Sequence, residues 1–261
     1  MSRKIRVIAR LDIKGHNVIK GIQLEGLRVV GKPEVLAPRY YEQGADEILY
    51  IDSVASLYQR DSFLQIVRST AENTFVPITA GGGVRTGDDI RKLLRAGADK
   101  VAVNTAAIQN PALIREGAEI FGSQCIVLSI QAKRVAEEQW EAYTNNGREK
   151  TGVHVLDWAK KGVRLGAGEI LLTSVDNEGM KMGFDIDLLK AVCNAVNVPV
   201  IASGGAGNVE HINEVIKKTK LDAVAVASVL HYGQLDIQEI KRSLSENGID
   251  VRLATRPRTA T

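Results

Sequence analysis

The stretch PITAGGGVRTGDDIRKLLRAGADKVAVNTAA, residues 77–107, decides the fold, because the chain repeats its two ends about 120 residues later. PITAGGGV (Pro77–Val84) returns as PVIASGGA (Pro199–Ala206), and DKVAVNTAA (Asp99–Ala107) returns as DAVAVASVL (Asp222–Leu230). Working outward, GADEILYID (Gly44–Asp52) pairs with GAGEILLTS (Gly166–Ser174), and RLDIK (Arg10–Lys14) with SIQAK (Ser129–Lys133). One such match is within reach of chance between generic buried strands. Four in order at nearly constant offset mark a duplicated unit.

Each unit alternates short β-branched runs with amphipathic stretches. The runs are Ile5–Leu11, Glu47–Ile51, Val76–Ala80, Lys100–Val103, Cys125–Ile130, Glu169–Thr173, Val198–Ala202 and Asp222–Ala227. Helical patterns such as Gly87–Ala96, Asp157–Leu165, Asp187–Val196 and Val209–Lys218 lie between them. This alternation implies parallel βαβ units. Eight of them in two repeated halves predict a (β/α)8 barrel, and a domain of about 250 residues is the usual size for one. We expect a single barrel over residues 1–251, followed by a loose polar and basic tail, RLATRPRTAT, over 252–261.

Composition narrows the function. A formal net charge of +3 is too small and too dispersed for a nucleic-acid partner. No apolar run approaches the roughly 18 residues of a membrane span, and the first residues enter a strand pattern without a signal-peptide layout. The expectation is a cytoplasmic protein that contacts neither nucleic acid nor membrane. Cys125 and Cys193 show neither metal nor redox spacing, and read as two buried thiols. His16, His154, His211 and His231 also lack metal spacing and read as surface or loop residues, with His16 nearest the mouth. No metal and no cofactor is expected.

In this fold chemistry gathers at the C-terminal ends of the strands. Each half carries a Gly-rich turn after its third strand, Gly81-Gly82-Gly83 and Ser203-Gly204-Gly205, and a hydroxyl after its fourth, Thr105 and Ser228. Glycine lets backbone N–H groups approach an anion, although tight-turn geometry alone also accounts for such a turn. The repetition of the element points to two phosphate sites on opposite sides of the mouth. A phosphorylated small molecule, with a phosphate at each end, is the ligand that fits. Between the two cradles stand Asp12 and its repeat mate Gln131. Asp12 suits general acid–base work, whereas a glutamine can orient but carries no proton near neutrality. Lys20 and Asn104 reach the same mouth, Asp52 ends the second strand, and Asp176 follows the sixth, in a loop over the second cradle.

At the opposite end, Arg6, Glu47, Lys100 and Glu169 stand at strand beginnings. If they point inward they form a ring of two positive and two negative charges, tolerated in a core only when paired. Such a ring reads as a gate or a docking surface. Snorkelling outward is the alternative.

The order IRVIARLDIKGHNVIKG, GADEILYID, ITAGGGVRTGDDIRKLLRAGADKVAVNTAA, FGSQCIVLSIQAKR, WEAYTNNGREKTG, GAGEILLTSVDNEG and IASGGAGNVEHINE resembles the cyclase subunit of imidazole glycerol phosphate synthase, essentially to Val251. The resemblance implies a glutaminase partner docked at the N-terminal face of the barrel. It also implies ammonia entering through the charged gate (Arg6, Glu47, Lys100, Glu169) and travelling the core to a substrate held by a phosphate at each end. It assigns the phosphate contacts to Gly82, Gly83, Asn104, Thr105, Gly204, Gly205 and Ser228, one catalytic aspartate to Asp12, and the lysine that follows it to Lys20. The departures all lie at the reaction end. The second catalytic aspartate falls on Gln131. The family's KDGR is KGHN (Lys14–Asn17), its Asp-Ile-Thr is Asp52-Ser53-Val54, and its Asp-Gly-Thr is Glu178-Gly179-Met180. The asymmetry resembles relatives that accompany amidotransferases in bacterial cell-surface sugar amidation, which implies a third, amidotransferase subunit. The other readings are a working cyclase with Asp12 carrying the acid–base work, and a non-catalytic scaffold for a phosphorylated ligand.

Overall fold

The computed structural model describes residues 4–53 and 60–253. Val54 and residues 254–261 of the expected tail lie outside the described residues. Eight parallel strands close on themselves: β1 (Arg6–Lys14), β4 (Glu47–Asp52), β5 (Ile78–Gly81), β6 (Lys100–Val103), β7 (Ile126–Ala136), β10 (Glu169–Ser174), β11 (Val200–Ser203) and β12 (Ala223–Val226), with β12 pairing back to β1. Closure is made by Arg6↔Ala223 through Ala9↔Val226. The predicted barrel is therefore the observed one.

Helices cover the outside: α1 (Pro33–Glu42), α2 (Arg60–Asn73), α3 (Gly87–Arg95), α4 (Thr105–Gln109), α5 (Ala112–Phe121), α6 (Val155–Arg164), α7 (Ile186–Ala195), α8 (Val209–Lys218), α9 (Ser228–His231) and α10 (Ile237–Glu246). Their starts are legible in local chemistry. Thr86 and Asp89 form a reciprocal capping box before α3. Asp185, Asn208 and Asp236 cap α7, α8 and α10 through their side-chain oxygens.

One feature of each half exceeds the strand–helix alternation. After its first strand, each half inserts an antiparallel hairpin that rises above the mouth: β2 (Asn17–Ile22) with β3 (Glu25–Gly31), and β8 (Gln139–Thr144) with β9 (Glu149–His154). The second hairpin is pinned to the barrel by Asp185. Its carboxylate accepts from Trp140 Nε1 at 2.9 Å and Arg134 Nη2 at 3.0 Å while also capping α7.

The core splits into two apolar zones. A large one lies between strands and helices. A small one fills the lumen with Ile8, Leu49, Ala102, Val127, Leu171, Ile201, Ala223 and Ala225, and Ile51 packs against it. Side chains alternate across each strand, so the same lumen carries Arg6 and Arg10 on either side of Ile8. Beyond the barrel, the α10 ammonium of Lys241 donates to the Gly44 carbonyl, Asp46 and the Arg252 carbonyl at 2.7–2.8 Å. Arg252, the first residue of the expected tail, is held against Asp46 and the Ala45 carbonyl at 2.9 Å each. Among the described residues, no helix is long and apolar enough to cross a membrane.

Candidate active site

The bottom of the lumen is closed by the four predicted charges. Lys100 Nζ donates to Glu47 and to Glu169 at 2.7 Å each, and Arg6 donates to Glu47 at 3.0 Å and also to Glu169. Thr79 Oγ1 donates to the remaining Glu47 oxygen. The side chains turn inward rather than snorkelling, because each carboxylate finds two cations there. Glu47 is 1% exposed, and such burial is tolerable only with this pairing. Burial alone lowers the Arg6 pKa, but Glu169 and Glu47 outweigh it and raise it.

Above this ring comes the apolar lumen, and above that the mouth. Glu178, Lys20, Asp12 and Arg10 form a second buried charge cluster. Arg10 Nε donates to Asp12 at 3.0 Å, and Lys20 Nζ stands 3.4 Å from the other Asp12 oxygen while donating to Glu178. Arg10 Nη1 donates to Ser203 Oγ at 2.8 Å and Thr173 Oγ1 at 3.2 Å, and stands 3.8 Å from Glu178. Burial pushes the Asp12 carboxyl up, but Arg10 and then Lys20 outweigh it and hold it below the usual carboxylate range. Asp12 and Lys20 thus meet at the mouth. Arg10 and Glu178 were not named for this role. The available signal was an arginine two residues before Asp12, hence on the same inward face of a buried strand.

Gln131 is 8% exposed and does what an amide can do: its Oε1 accepts from the Gly147 N–H at 2.8 Å, tying the β8–β9 turn to the mouth. The first-half cradle opens on a cavity of about 290 Å³ lined by Gly82, Gly83, Asn104, Thr105, Arg85 and Arg148, with Gln131 on its inner wall. Gly82 has φ +100°, and a Cβ there would stand 2.2 Å from the Asp52 carbonyl, so glycine is required. Asn104 Oδ1 is buried without a partner among the described residues, and Asp52 lies on the rim. The second cradle is covered. Gly204 and Gly205 are buried and Ser228 is 7% exposed. Gly183 donates to the Gly205 carbonyl at 2.9 Å, laying the loop after β10 across the turn. Asp176 is a fastening of that loop: its carboxylate accepts from the Arg134 N–H at 2.9 Å and its carbonyl from Gln23 Nε2 at 3.1 Å.

Two expectations need correction. His231 is not a surface or loop residue. It lies in α9, largely buried, with Nδ1 2.7 Å from the Tyr40 hydroxyl, and burial, then Lys20, lowers its pKa to about 4. Its helix follows β12 directly, so it packs beneath α1. Cys125 and Cys193 are only half-buried, because they lie on the outer layer, just before β7 and in the last turn of α7.

With this geometry in place, comparison with known proteins is decisive. The family model described as "Histidine biosynthesis protein" matches residues 6–236. The chain belongs to that family. Within the histidine biosynthesis proteins it is similar to the imidazole glycerol phosphate synthase subunit HisF of Legionella pneumophila, 61% identical over 80% of this chain and 99% of that protein. It is likewise similar to the subunits HisF of Streptococcus mutans, 48% identical over 95% of this chain and 99% of the relative, and of Bacillus cereus, 49% identical over 95% and 98%. The chain is thus a HisF-like member of the family.

Proposed function

We propose that this chain is the ammonia-accepting barrel of a glutamine amidotransferase complex. A glutaminase docks on its N-terminal face, and ammonia enters past Arg6, Glu47, Lys100 and Glu169 and leaves at the mouth. The relatives, each a subunit of imidazole glycerol phosphate synthase, support the synthase part of this reading. We further propose that the ammonia serves an acceptor other than that enzyme's substrate, in amidation of a nucleotide-linked or cell-surface sugar, with a third, amidotransferase subunit receiving it. The observation that carries this is the contrast between the two ends of the lumen. The bottom ring is complete and fully paired. At the mouth the two positions between the cradles hold Asp12, bound between two cations, and Gln131, bound to a backbone N–H. Gln131 carries no proton near neutrality and Asp12, held by two cations, is a weaker base than a free carboxylate, and loss of positioned acid–base catalysis typically costs some 10²–10⁴-fold in rate.

A second reading, the working cyclase, is favoured by the retained Asp12 and Lys20 contact and by the open first-half cradle. Purified protein with excess ammonium at alkaline pH separates the two. Excess ammonium makes the glutaminase dispensable, so absence of turnover of the imidazole glycerol phosphate synthase substrate supports the first reading. Robust wild-type turnover would establish the second and dismiss the first.

A further inference from the structure

Arg10 enters the first reading only as one of the two cations on Asp12. It stands on β1 one inward position above Ile8 of the apolar lumen and one below Asp12, and it is 3% exposed. Its guanidinium runs along the inner wall past β12, whose inward Ala225 leaves room, to the hydroxyls of Ser203 on β11 and Thr173 on β10. That side of the lumen is filled. On the other side of Asp12, under the first hairpin, the space between Lys20, Leu24, Leu27, Ser53 and Asn146 is about 10 Å³, roughly what one water needs. The opposite side is open: the first-half cavity has Ile51, Ala102 and Ser129 in its floor, and Ala102 is itself part of the apolar lumen. The repeat supplies the contrast. Ser129 is the mate of Arg10, so one half carries a small hydroxyl where the other carries a full guanidinium.

We propose that Arg10 is a positioning residue that sets what the barrel does with its ammonia. It holds Asp12 in a fixed ion pair and closes the β10–β12 side of the lumen. It thereby directs the outlet to the first-half cavity and, together with Gln131, weakens the centre of the mouth as a proton acceptor. This inference rests on the amidotransferase reading above. Its corollary is that Gln131 is only half of the difference from a cyclase. A carboxylate restored at 131 still faces an Asp12 that Arg10 holds in place and makes a weaker base. The titratable and charged groups around Asp12 are Arg10, Lys20, Glu178 and His231. Arg10 alone among them bonds to Asp12 and to the opposite wall.

The test compares wild type, Gln131→Asp, Arg10→Gln and the double variant, with Arg10→Lys as the variant that keeps the charge. Turnover of the imidazole glycerol phosphate synthase substrate is measured with excess ammonium, and Asp12 is titrated by carboxyl ¹³C NMR in each protein. Glutamine keeps a hydrogen-bonding amide and drops the charge. Arg10→Met, which fills the same layer without charge, carries the same comparison if Arg10→Gln does not fold. The double variant is expected to exceed either single variant by at least roughly 100-fold, the low end of one acid–base contribution. The Asp12 titration is expected to move up toward the ordinary range in Arg10→Gln and to stay low in Arg10→Lys. A double variant no faster than Gln131→Asp would overturn the proposal, as would an Asp12 titration unmoved by Arg10→Gln. Turnover by wild type defeats the amidotransferase reading instead, a result distinct from either of these.

Discussion

Lys100→Met tests whether the bottom ring is a balanced four-charge unit. Lys100 bridges Glu47 and Glu169 at 2.7 Å each, and Arg6 bridges the same two carboxylates from the other side. Removing Lys100 leaves two buried carboxylates to one guanidinium. Breaking a buried pair by removing one partner costs about 3–5 kcal/mol. The lower end applies here, because the Lys100 side chain keeps 15% exposure and water reaches the vacated place. Glu169→Gln leaves the opposite excess and costs a similar amount. The double variant restores neutrality, since Arg6 and Glu47 remain paired at 3.0 Å. It should therefore lose about 3 kcal/mol in total rather than the sum of the two, a coupling of about 2–3 kcal/mol, at the upper end for contacting residues. Urea unfolding of the four proteins, read as the shift in midpoint at constant slope, measures this directly. Strict additivity would refute the ring as a unit and leave four independent surface charges at the floor.

Two further outcomes are expected. Gly82→Ala must relieve both φ +100° and a Cβ 2.2 Å from the Asp52 carbonyl. The φ alone costs about 1–3 kcal/mol, so a lowered Tm and a displaced first-half cradle in a crystal structure are expected; an unchanged Tm would show the turn to be undemanding. His231 has its pKa lowered from 6.5 to about 4. The unfolded chain therefore takes up that proton first. The contribution is full above about pH 6.5 and lost as pH falls toward 4, roughly 3 kcal/mol in all. Stability measured across that window should fall in wild type and fall less in His231→Gln, and equal slopes would place the acid sensitivity elsewhere.

Much of the molecule was legible because its determinants are local or periodic. The runs from Ile5 to Ala227 and the four repeat pairs specify eight βα units, and strands buried on both faces announce themselves by β-branched composition alone. The repeat also located both glycine turns and set Gln131 opposite Asp12. The ring of Arg6, Glu47, Lys100 and Glu169 was legible for a similar reason: a charge at the start of a buried strand has few places to go. The two hairpins above the mouth were not read, because their short polar strands interrupt the alternation of strand and helix. His231 was misplaced because a four-residue helix leaves no periodic trace.

What the sequence by itself determined is thus the barrel, its duplication and the residue types available at each end. What only the tertiary structure decided is partnership. Arg10, Lys20, Asp12 and Glu178 are separated by up to 168 positions along the chain and become one cluster only when β1, its hairpin and the loop after β10 converge on the mouth. Which carboxylate a guanidinium chooses, and which of two equivalent cradles stays open, depends on distances of a few ångströms between strands that share no sequence proximity. Coulomb energies and hydrogen bonds vary over just those distances.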